Sequence, residues 1–119
     1  MLDRNTVEKL IRESSQRSKR ERKEYHLFGK ILISVKSDVL PNIDFDQIIK
    51  EIEEHMPPHL FEEIDDIFVG SFEENDDRAL EAHYESGAIY ITSDLSTNHD
   101  YVENIVHEAS HAIEESIGL

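Results

Sequence analysis

Near the end of the sequence stands His107-Glu108-Ala109-Ser110-His111. The chemistry open to these residues follows from their spacing. On a helix, positions four apart lie about 40° apart in azimuth and one turn apart along the axis, so both imidazoles can converge on one ion. Neutral imidazole is a good zinc ligand. Glu108 is rotated by about 100° from His107, which sets its carboxylate beside the ion and not on it. From there it can take a proton from a water that a metal has acidified to a pKa of about 7, and pass it to a leaving group. The expected roles are His107 and His111 as metal ligands, Zn2+ as the ion and Glu108 as the general base.

In a chain with seven histidines so short a pattern can arise by chance. Its context argues otherwise. Val102, Ile105, Val106, Ala109, Ala112, Ile113 and Ile117 form one apolar face over the same stretch, so the motif sits on a helix with a core to pack against. Thr97 or Asn98 can cap that helix. Upstream, Leu80 to Tyr84 and Ala88 to Thr92 read as two strands joined at hairpin spacing through Ser86-Gly87. Ile64 to Phe72, with Ile67, Phe68, Val69 and Phe72, reads as a buried strand.

Further upstream, Asp44 and Gln47 make a capping box for a helix running to about His55, and Phe45, Ile48, Ile49, Ile52 and Met56 recur on one face. Pro57-Pro58 stops it, and a short helical turn is expected around His59 to Glu63. Ile31 to Val35 is β-branched enough for a strand, with a continuing helix as the alternative. Thr6 to Tyr25 reads as a weakly amphipathic helix with Val7, Leu10 and Ile11 as its only apolar stripe. Helix, several strands and helix in succession predict an α+β fold built on one small sheet.

Charge divides the chain. Residues 1–30 hold nine basic and five acidic residues, a net of +4, while the remainder holds three basic and 22 acidic, a net of −19, giving the formal total of −15. We expect a basic N-terminal helix or arm over 1–30, solvated or flexible, with docking on the acidic body or on an acidic partner as the alternative, and one domain over 31–119. An acidic body disfavours phosphate backbones, so no nucleic-acid partner is expected. No apolar run is long enough for a membrane span and the polar start is not a signal peptide, which predicts a soluble, cytoplasmic protein. The absence of cysteine excludes disulfides, thiolate zinc sites and cysteine nucleophiles.

Ile105-Val-His-Glu-Ala-Ser-His-Ala-Ile, preceded by Gly87-Ala-Ile-Tyr-Ile-Thr, resembles the active-site segment of the zincin metallopeptidases, in particular the single-domain minigluzincins and phage-type metallopeptidases. The likeness is strongest over Leu80 to Ile113 and extends back to Asp44. It implies a small twisted mixed β-sheet with a backing helix and a C-terminal active-site helix, zinc held by His107 and His111, and Glu108 as general base. It also implies that the Leu80 to Tyr84 strand is an edge whose Ala82, His83 and Tyr84 pair with an extended peptide or protein substrate.

One departure from that family stands out. A gluzincin takes a third ligand, a Glu, from a later helix, whereas this sequence ends eight residues after His111. The expectation is therefore the catalytic N-terminal half of a zinc metallopeptidase, truncated after its active-site helix. Glu114 lies near the azimuth of His107 but about 10.5 Å along the axis, too far for a shared ion, and Glu115 is no better. His83, Asp94 and His99 are the nearest alternative donors, and His26, His55 and His59 are more remote. Glu73 to Asp77 lacks the oxygen spacing of a calcium loop and reads as a solvated turn. The competing function is a non-catalytic zincin-like interaction or assembly module with a partial or absent metal site. An acidic binding domain bearing the motif by coincidence is the third.

Overall fold

The computed structural model describes residues 23–72, 75 and 80–118. Five strands and two helices follow one another there: β1 (Glu24–Leu27), β2 (Ile31–Val35), α1 (Phe45–His55), β3 (Asp66–Gly70), β4 (Ala82–Glu85), β5 (Ala88–Thr92) and α2 (Asn98–Ser116). A 3-10 turn at Pro58–Phe61 follows α1. The strands form one mixed sheet in the order β1-β2-β3-β5-β4. The inner strands β2, β3 and β5 run parallel, and β1 and β4 join antiparallel at the two edges. The fold is α+β.

Strand register accounts for the core. Residues paired across neighbouring strands share a face of the sheet. Leu27 pairs with Ile31, Tyr25 with Ile33, Ile33 with Ile67, Val35 with Val69, Ile67 with Ile89, and Val69 with Ile91. All of these side chains are buried, and they share one cluster with Phe45, Ile48 and Ile52 of α1 and Tyr101, Ile105, Ala109 and Ala112 of α2. Each fully buried isoleucine contributes roughly 1.5–3 kcal/mol of transfer free energy. The opposite face carries Glu24, His26, Ser34, Phe68, Tyr90 and His83, by the same alternation.

The two helices are tied to one another where they begin. Asp44 caps α1 by accepting from the N–H groups of Asp46 and Gln47 at 3.0 and 3.4 Å. Its own N–H is taken at 2.9 Å by the side chain of Asn98, the first residue of α2, where a capping box would have assigned it to Gln47. Asn42 adds a bond from Nδ2 to the Ser96 carbonyl at 2.7 Å. Thr97, not Asn98, caps α2 by accepting from Asp100 N at 3.1 Å.

Several elements differ from the sequence expectations. Of the helix expected over Thr6 to Tyr25, residues 6–22 lie outside the described residues, and its last residues, Glu24 and Tyr25, belong to β1. The sheet thus begins inside the stretch expected to be an arm. Tyr25 and Leu27 alternate inward, a two-residue period too short to stand out beside the charged run before it. The strand expected from Leu80 begins at Ala82, because the Leu80 N–H bonds to the Asn75 carbonyl at 2.8 Å instead of entering the ladder. The β4–β5 turn is as expected: Ser86 and Gly87 have φ of 49° and 87°, the paired positive values of a tight hairpin. A Cβ at Gly87 would stand 2.8 Å from Asp65 Oδ2, a side-chain tip that can turn aside, so it is the positive φ that favours glycine there. Among the described residues, no helix is long and apolar enough to cross a membrane.

Candidate functional site

Helix α2 presents its functional side chains outward because its other face is locked to the sheet. Tyr101 is fully buried, and its hydroxyl donates to the Thr92 carbonyl at the end of β5, at 3.1 Å. Burial pushes this phenol up to about 12. Below it, Ile105, Ala109 and Ala112 continue the buried stripe. The two alanines are small, which lets the helix lie close against the sheet. His107 and His111 therefore stand on the exposed side and Glu108 between the two, half-buried.

The imidazoles converge. Nε2 of His107 and Nε2 of His111 are 2.9 Å apart, with ring centroids at 4.3 Å and planes at 87°. Two ring nitrogens this close repel unless a proton or a cation lies between their lone pairs. An ion at the usual zinc–nitrogen distance of about 2.0–2.1 Å from both would see them about 90° apart, and slight opening of the rings would give the tetrahedral value. Two donors thus fit a metal. Among the described residues, no group of three or more His, Cys, Asp or Glu side chains is placed to hold one.

Glu114, weighed as a ligand on spacing, has a different position. Its carboxylate lies 3.4 Å from Nδ1 of His111. A carboxylate beside Nδ1 favours the tautomer protonated there, the position that outer partners of metal-binding histidines take. The Glu108 carboxyl is raised above the ordinary glutamate range by burial, with His111, His107 and His83 opposing the shift.

His107, Glu108, His111 and Glu114 line one side of an open cleft of about 540 Å³ whose other side is Ala82, His83 and Tyr84 of β4. All six residues singled out from the sequence border this one depression. β4 is the sheet's edge, and the Glu81 carbonyl accepts from Thr92 N at 2.9 Å. Antiparallel alternation then turns the main-chain groups of His83 into the ladder and those of Ala82 and Tyr84 outward. Of the three expected pairing residues, Ala82 and Tyr84 direct their main-chain groups away from β5. The ring of His83 stacks on Tyr90 at 4.9 Å and 12°, and its Nδ1 meets Oδ1 of Asn75. Asn75 is buried and also donates from Nδ2 to the Tyr90 carbonyl at 3.2 Å.

The other candidate donors are elsewhere. His99 sits between Glu103, at 2.9 Å, and Glu51, at 3.9 Å. His55 contacts the Glu51 carbonyl from Nδ1 at 3.0 Å. Asp94, His26 and His59 are exposed and do not line the cleft. The acidic turn expected at Glu73 to Asp77 lies outside the described residues except for Asn75. No protein-family model, no curated protein and no solved structure matches this chain.

Proposed function

We propose that this protein is a zinc-dependent peptide hydrolase. The observation that carries the reading is the convergence of His107 and His111 on one point, 2.9 Å between Nε2 atoms, with Glu108 in the same cleft as the sheet's edge strand. The resemblance of the Ile105 to Ile113 segment to the zincin metallopeptidases agrees with it. When bound, zinc would supply Lewis acidity, lowering the proton affinity of water and polarising a carbonyl. His107 and His111 would hold the ion through Nε2, and Glu114 would keep the Nδ1 proton of His111 in place. The outward N–H and C=O groups of Ala82 and Tyr84 would lay an extended peptide along β4 with little demand on its sequence. Glu108 would take a proton on its carboxylate and return it to the departing amine. A raised pKa suits that exchange, since a base works best when its pKa approaches the working pH.

A second reading rests on the donor count. Two histidines alone suit a non-catalytic module of the same fold, in which the metal is weakly held or absent. The experiment that separates them is hydrolysis of an unstructured protein by the zinc-loaded full chain beside its Glu108→Gln variant. The hydrolase reading expects cleavage in the first and loss of at least a hundredfold in the second, with zinc retained by both. Zinc-loaded chain that leaves the substrate intact supports the module. Cleavage that persists in the variant overturns the role given to Glu108.

A further inference from the structure

A second depression, of about 720 Å³, lies between α1 and α2, and His107 lines both it and the cleft. Its size is that of a pocket for a side chain or small ligand. The floor is apolar, built from Ile52, Met56, Val102 and Val106. Its rim is not. Glu51 comes from α1, Glu103 from α2 and Glu81 from the residue before β4, so three elements each contribute a carboxylate. Among the described residues, no lysine or arginine lines the groove, and its basic groups are His55, His99 and His107.

We propose that this groove receives a lysine or arginine side chain of the peptide bound along β4, and so gives the proposed hydrolase a preference for basic sequences. The inference rests on the proposed function for the identity of the ligand as a peptide, and on three observations for the side chain. First, an apolar floor under a charged rim matches a methylene stem ending in a cation. A neutral apolar side chain would bring no positive charge to the three carboxylates, and an acidic one would be repelled. Second, Asn104 of α2 donates from Nδ2 to Glu81 Oε2 at 3.0 Å, which fixes a rim carboxylate at the start of the strand that would hold the peptide. Third, His107 forms the wall common to groove and cleft, so a residue near the reacting bond has the groove beside it. His99 lies between two of the rim carboxylates, 2.9 Å from Glu103 and 3.9 Å from Glu51.

The test is peptide binding by the intact Glu108→Gln chain, with and without zinc, followed by fluorescence anisotropy. The probes are labelled Ala/Ser decapeptides carrying one central Lys, norleucine or Glu. Norleucine keeps the apolar stem of lysine and removes only the charge. The groove predicts that the Lys peptide binds about five- to tenfold more tightly than the norleucine peptide, and the Glu peptide most weakly. Adding Glu51→Gln and Glu103→Gln should abolish the Lys-over-norleucine ratio while leaving the norleucine affinity within about twofold. A remote pair with the same charge change, Glu62→Gln and Glu63→Gln, should leave that ratio intact. Equal binding of Lys and norleucine peptides, no binding of either, or equal loss in the remote pair overturns the proposal. A Lys preference without zinc or hydrolysis supports the groove and counts against the catalytic reading alone. Hydrolysis indifferent to lysine does the reverse.

Discussion

At the scale of single residues, spacing alone conveyed that the His107 and His111 imidazoles meet, because positions four apart on a helix share a face. The partner of the second histidine was less legible. Glu114 was judged by its distance from His107, and its contact is with His111, three residues away, at 3.4 Å. Asn75, helical and buried where a solvated turn was expected, was not legible at all, since nothing local marks a polar residue in an acidic run as packed against two strands. Glu108 supports a prediction about stability. Its folded pKa lies above the ordinary glutamate value, so the folded chain holds that proton more tightly than the unfolded chain does. Ionisation is therefore disfavoured by folding. The penalty is absent below the ordinary pKa, grows as pH rises through the window up to the raised value, and is complete above it. In metal-free protein, Glu108→Gln is expected to melt above the wild type at pH 7, with the difference closing near pH 4. Melting curves at the two pH values check this, and an equal gap at both would contradict it.

At the scale of elements, α1, β3, the β4–β5 hairpin and α2 were readable from period, caps and proline stops, each a local signal. The first strand was not. Tyr25 and Leu27 make a two-position alternation, and only pairing with Ile33 and Ile31 gives it meaning. Nor did the sequence tell which residue caps α2. Both Thr97 and Asn98 were suitable, and the choice depends on α1, because the Asn98 side chain serves the Asp44 N–H in the other helix. That bond sets how the helix bearing the histidines meets the one behind it. Asn98→Ala is expected to cost about 0.5–1.5 kcal/mol, the usual net value of one hydrogen bond. Urea unfolding should show a lower midpoint with unchanged slope. An unchanged midpoint would mean the contact does not join the helices.

At the scale of the whole molecule, the total of −15 hides an acidic body of −19 in residues 31–119. Such a body concentrates cations near an exposed pair of imidazoles and favours basic over acidic peptides, the bias from which the groove between α1 and α2 would build a selective pocket. The sheet supplies the rest of the arrangement. By placing β4 last in the order, it sets the sheet's edge strand beside the histidines of α2. The central claim is that His107 and His111 together hold a metal ion. Zinc titration of the full chain at pH 7.5, followed by elemental analysis after desalting, tests it most directly. About one equivalent is expected to be retained by the wild type and by Glu108→Gln, and to be lost in His107→Ala and in His111→Ala. No zinc retained by the wild type, or the same amount retained by the histidine variants, would contradict it.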